Sequence, residues 1–140
     1  MPIKNCPFTD LSGDGFARPV LPIKIINPHT KLSFQTFGII DTGADDCALP
    51  AIIAEHLGHV INKGVAKQIQ TGNGISIAYA HTTSFKIYHP LTNDFIFKTK
   101  ETPIDCLPNL NVVLLGVRNF MSSFVLHIDY PKQIFSITKP

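Results

Sequence analysis

Apolar positions along the chain fall into short runs of strand length, punctuated by Pro, Gly and Asn, rather than into stretches with a helical repeat. Within 17–26 the run Val20-Leu21-Pro22-Ile23-Lys24-Ile25-Ile26 is β-branched and apolar, and Asn27-Pro28-His29-Thr30 supplies a turn. A hairpin partner is then expected over 32–40. It alternates apolar and polar at first and becomes continuously apolar at Phe37-Gly38-Ile39-Ile40, the pattern of a strand entering a core buried on both faces, before it stops at Asp41. The segment 49–58 places Pro50 in a first turn, apolar residues at helical spacing and Gly58 at the stop, which predicts one short helix.

Strands are expected to resume around Gln68 to Gln70, turn over at Thr71-Gly72-Asn73-Gly74, and return along 75–80 as an exposed hairpin, because an Asn-Gly step favours a tight turn. Alternating segments follow near Ser84 to Tyr88 and Phe95 to Thr99. A second continuously apolar strand is expected over 111–116, stopped by Gly116. A short helix is predicted from Arg118 to Ser123, and 124–137 reads as a closing hairpin turning at Tyr130 to Gln133. Residues 1–15, with Pro2, Pro7, Gly13 and Gly15, are expected to be an irregular arm unless they add an edge strand, leaving 16–140 as the folded domain.

Composition agrees with an all-β class. Ten Phe, eleven Pro and no Trp favour strands broken by turns, and 140 residues suffice for a single core. With 44% hydrophobic and 16% charged residues the chain is too apolar for disorder, and no apolar run reaches membrane-spanning length. A net charge of +2 without a basic cluster gives no nucleic-acid footprint. Cys6, Cys47 and Cys106, odd in number and widely spaced, predict free thiols in a reducing compartment, hence a cytoplasmic location, and the first residues lack a secretory signal pattern.

The chemistry centres on Ile39-Ile40-Asp41-Thr42-Gly43-Ala44-Asp45-Asp46, where a hydrophobic strand delivers an acid into a tight turn. Charge at the end of a buried strand is costly. An Asp-Thr-Gly triplet alone arises by chance in on the order of one in ten to twenty chains of this length. The apolar residues before it, small Ala44 after it and a second apolar strand ending Leu114-Leu115-Gly116 make a rarer constellation.

From about Leu32 to Ile137 these motifs, in this order, resemble the retropepsin-like aspartic proteases, single-lobed relatives of pepsin. Asp41-Thr42-Gly43-Ala44 resembles the catalytic turn, Leu49-Pro50 with Ala54 and Leu57-Gly58 the helix of cellular and bacterial members, and Gly72-Asn73-Gly74 the flap tip. Val113-Leu114-Leu115-Gly116 resembles the segment threaded beside the catalytic turn, and 124–137 the terminal hairpin. The resemblance implies a closed β-barrel with one or two short helices and a homodimeric aspartic endopeptidase acting on extended peptides. In it, Asp41 and its symmetry mate share a proton and activate water, without metal, cofactor or covalent intermediate.

It further implies that Thr42 braces the two turns across the dimer, that Gly43 admits close approach, and that the glycines at the hairpin tip permit closure over substrate. Ala44, Asp45 and Asp46 would contact substrate, or Asp45 would pair with Arg118, although Val117 shifts that Arg by one position from the viral pattern. Tyr79 is a further candidate for the cleft wall. The rival from another class is a non-catalytic dimerisation or peptide-binding module on the same fold. His56 and His59 lack the Cys or acid pattern that would complete a metal set, Cys47 reads as a small buried hydrophobe, and His127 with Asp129 lacks the elbow of a serine hydrolase.

Overall fold

The β-branched and aromatic runs fold as strands. The computed structural model describes residues 3–72 and 74–140. In chain order the elements are β1 (Ile3–Pro7), β2 (Val20–Ile26), β3 (Ser33–Ile40), β4 (Ala48–Pro50), α1 (Ala51–His56), β5 (Val65–Thr71), β6 (Gly74–Tyr88), β7 (Phe95–Lys98), β8 (Thr102–Leu107), β9 (Val113–Leu115), β10 (Val125–Asp129) and β11 (Ile134–Thr138). Single 3-10 turns lie at Ile61–Lys63 and Met121–Ser123. The class is all-β with few, short helices.

The main sheet follows the path β2-β3-β9-β4-β8-β6-β5, and β6 also pairs back onto β2. That return is possible because β6 runs for 15 residues. Its first part pairs with β5, Tyr79–Thr83 with β8, and Ser84–Ile87 with β2. The two separate segments expected over 75–80 and 84–88 are therefore one strand. A second sheet has the order β1-β11-β10. The strand period of two puts Leu21, Ile23 and Ile25 on one face of β2, where they join Phe85, Ile87, Ile104, Cys106, Leu115 and Phe135 in the core.

The N-terminal segment takes the edge-strand alternative rather than the irregular one over 3–7, because Ile3 and Cys6 are fully buried against β11. The predicted helix starts later than expected. Ala48–Pro50 is claimed by pairing with β8, so Leu49 lies in β4 and Pro50 caps a helix that reaches only His56. β3 is buried only at its end: Phe34 and Phe37 are 42% and 46% exposed, whereas Gly38 and Ile40, where β9 pairs with the strand, are buried. The helix expected over 118–123 is a turn followed by one 3-10 turn. The closing hairpin and its turn at 130–133 lie where they were expected.

Candidate active site

Asp41 sits where two parallel strands end. Ile39 and Ile40 of β3 lie opposite Leu114 and Leu115 of β9, and the next amide, Asp41 N–H, donates to the Leu115 carbonyl at 3.1 Å. Asp41 Oδ1 accepts the Gly43 N–H at 2.9 Å, and Ala44 N–H donates to the Asp41 carbonyl at 3.2 Å. This side-chain-to-backbone turn is what Asp favours locally, and it aims a half-buried carboxylate outward. A Cβ at Gly43 would stand 3.3 Å from that Oδ1, a tight contact that the carboxylate would have to ease by a few tenths of an ångström. Thr42 is exposed, and among the described residues its hydroxyl makes no hydrogen bond.

The chain leaving the turn crosses the segment leaving β9. Val117 N–H donates to the Ala44 carbonyl at 2.9 Å, Arg118 N–H to the Asp45 carbonyl at 2.8 Å, and Cys47 N–H to Asn119 Oδ1 at 2.6 Å. Gly116 lies at the crossing. A Cβ there would collide with the Asp46 carbonyl and come within 2.9 Å of the Ala44 oxygen. Below it, Gly116 N–H points at Cys47 Sγ at 3.3 Å. Burial pushes that thiol up to about 12, against the opposing Gly116 N–H, so Cys47 is a packed, protonated residue with little reactivity.

A charged network extends from the crossing. Asp46 is gripped by Arg118 through both oxygens, Nε to Oδ1 at 2.9 Å and Nη2 to Oδ2 at 2.7 Å. Lys67 of β5 bridges Asp46 Oδ2 at 3.3 Å and Asp105 Oδ2 of β8 at 3.0 Å. Burial pushes the Asp46 carboxyl up, but its hydrogen bonds with Arg118 and Lys67 outweigh that and hold it below the usual range. Asp105 shifts the other way: its burial outweighs what Lys67 returns, and its carboxyl lies above the usual range. Lys67 loses something to burial and gains more from Asp105 and Asp46, so its ammonium is held more firmly than usual.

Turn, network and hairpin arm enclose one cleft of about 680 Å³. Asp41, Asp45, Asp46 and Asp105 supply its acids, Lys67 and Arg118 its bases, and Ala48, Ile69, Leu107 and Leu114 an apolar wall. Of the residues singled out in the sequence, Asp41, Gly43, Ala44, Asp45, Asp46, Gly72, Leu114 and Arg118 come together here. Leu115 is core, Gly116 is the crossing point, and Gly74 opens β6 away from the cleft lining. Asn73 lies outside the described residues. Tyr79 is half-buried in β6 and does not line the cleft.

The pairing expected between Asp45 and Arg118 is corrected: Arg118 meets Asp45 only through its backbone, while its guanidinium takes Asp46. The Arg118 amide is spent on the Asp45 carbonyl, and the side chain extends from there to the next acid. Lys67 and Asp105 were not anticipated. The one available signal was an acid set among apolar residues, Ile104-Asp105-Cys106-Leu107. His59 is buried while His56 is exposed, and among the described residues no group of three or more His, Cys, Asp or Glu could hold a metal ion.

No family model matches the chain, and no curated protein matches it. Solved structures do match. One is the crystal structure of a retropepsin-like aspartic protease from Rickettsia conorii, 20% identical, covering 87% of this chain and 94% of that one with a TM-score of 0.46.

Proposed function

We propose that the chain is an aspartic endopeptidase of the retropepsin-like kind, its active site completed by a second copy of itself. The observation that carries this reading is the placement of Asp41, anchored by Leu115 and Gly43 in a turn that opens into a cleft alongside a β hairpin. Aspartic proteolysis needs two carboxylates close together, and the chain has one such turn. An isologous pairing would bring Asp41 against its symmetry mate, and the exposed Thr42 hydroxyl is free to brace the two turns.

Two like charges at that range share one proton and titrate as a unit. The ionised Asp41 takes a proton from water as the oxygen attacks the peptide carbonyl. The protonated mate donates a hydrogen bond to the developing oxyanion, and collapse of the tetrahedral intermediate delivers a proton to the leaving amine. β5 closes one end of the main sheet path, so an extended peptide in the cleft can pair with its outer edge. Neither metal nor cofactor enters this scheme. Three buried free thiols suit a reducing, cytoplasmic setting.

The test is incubation of the purified chain with a mixed peptide library from acidic to neutral pH, beside Asp41→Asn. Turnover should fall by about three orders of magnitude in the variant, and specific activity should climb with protein concentration until the dimer saturates. Equal cleavage by both proteins, or full activity in a proven monomer, refutes the reading. Peptide binding without cleavage by either would leave the fold serving as a binding module.

A further inference from the structure

The hairpin formed by β5 and β6 has few holds on the body of the protein. Along its whole length β5 pairs with β6 alone, and β6 pairs with β8 only from Tyr79 onward. Val65, Ile75 and Ile77 are 73%, 72% and 51% exposed, so much of the hairpin's apolar surface faces outward. Among the described residues, two contacts toward the cleft stand out. Ile69 and Ala78 rest on the small cluster of Ala48, Leu107 and Leu114. Two residues earlier on the same face of β5, Lys67 reaches Asp46 and Asp105.

The second contact differs from an ordinary surface ion pair, which contributes little because water competes for both partners. Asp105 has a side chain only 7% exposed, and among the described residues its one counter-charge within bonding distance is Lys67. Asp46, at 17%, has both oxygens engaged. Withdrawing the ammonium would strand a nearly buried carboxylate, and that penalty is what favours the seated position of β5. Asp46 is also the residue whose backbone covers Gly116, so the same ammonium acts on the crossing that frames the Asp41 turn.

We infer that Lys67 is a latch: by bridging Asp46 and Asp105 it holds the β5–β6 hairpin against the cleft and steadies the Asp46–Arg118 pair beside the Asp41 turn. It is a positioning residue, with no part in bond-making. Its kinetic consequence rests on the peptidase reading above, whereas its mechanical consequence does not.

Amide hydrogen exchange of the full-length protein separates the two. Lys67→Met should raise exchange in peptides spanning 65–80 by about tenfold, with peptides from β1 and β11 unchanged, and Lys67→Arg should restore protection. Asp105→Asn, which keeps the shape and removes the charge, should loosen the same peptides, and serves if Lys67→Met fails to fold. In peptide cleavage, Lys67→Met should raise KM several-fold at nearly constant kcat, with rescue by Lys67→Arg. Unchanged exchange in 65–80, or a rise shared equally by β1 and β11, overturns the latch. Absence of cleavage by the wild type would overturn the peptidase reading and leave the exchange result to decide the latch alone.

Discussion

Gly116→Ala is the sharpest single-atom probe of how the site is built. The added methyl would be driven into the Asp46 carbonyl and the Ala44 oxygen, both backbone groups that cannot swing aside as a side-chain tip would. Relief requires the 44–47 segment to lift by about an ångström, and overpacking of this kind costs about 1–3 kcal/mol. Lifting also breaks or stretches the three bonds that staple the crossing, Val117 to Ala44 at 2.9 Å, Arg118 to Asp45 at 2.8 Å and Cys47 to Asn119 at 2.6 Å. At about 1 kcal/mol net for each bond, losing all three comes to about 3 kcal/mol, the upper end of that range.

For a domain of this size 1 kcal/mol shifts Tm by roughly 3 °C, so a loss of about 9 °C is expected. Urea denaturation should show a lower midpoint at unchanged slope. Gly72→Ala is the control: nothing lies within 4 Å of a Cβ built there and its backbone is not left-handed, so its stability should stay within about 0.5 kcal/mol of wild type. If Gly116→Ala proved as stable as Gly72→Ala, the close crossing of the two segments would be wrong.

Two pH dependences follow from buried groups. His59 is held neutral. Thr83 Oγ1 gives its proton to the His81 carbonyl, so it accepts from His59 Nε2, and Nδ1 faces the Asn27 amide nitrogen, which has no lone pair to offer a second proton. Burial lowers its pKa from 6.5 to about 4, with repulsion from His81 and His29 adding to the effect. The unfolded chain therefore binds the proton first, and about 3 kcal/mol of stability should be lost as pH falls from 6.5 to 4. Denaturation midpoints across that window should decline in wild type and stay level in His59→Gln; parallel declines would refute the assignment. Asp46 and Asp105 should show opposite signs. Asp46, held low, stabilises the fold above 3.8 and loses that contribution as pH drops further, whereas the burial cost of Asp105 is present at neutral pH and is relieved as pH falls toward 3.8. Stability of Asp46→Asn and Asp105→Asn relative to wild type, followed over pH, should diverge in those directions, and curves of the same sign would contradict the network.

Features set by neighbouring residues were legible in the sequence. The β2–β3 hairpin, the closing hairpin and the Asp41 turn each depend on a run of β-branched residues and a turn dipeptide or Asx residue a few positions away. Where a distant partner competes, the local pattern misled. Leu49-Pro50 reads as the start of a helix, yet β8 recruits it as a strand. Phe37 opens the run that reads as buried on both faces, yet it stays 46% exposed. β8 itself went unseen because Pro103 and Asp105 interrupt the strand signature.

The acids of the site show the same division most clearly. Asp41 is recognisable because everything that orients it lies within the turn or at the end of the strand paired beside it. Asp46 and Asp105 are not, because a side chain on an unrelated strand decides their state. The Arg118 guanidinium goes to Asp46, and Asp45 stays exposed. One Lys on the hairpin then links that pair to a carboxylate that the sheet would otherwise bury alone. The ionisation of the cleft floor and the seating of the strand above it thus depend on the same ammonium, so a change at Lys67 should move both together.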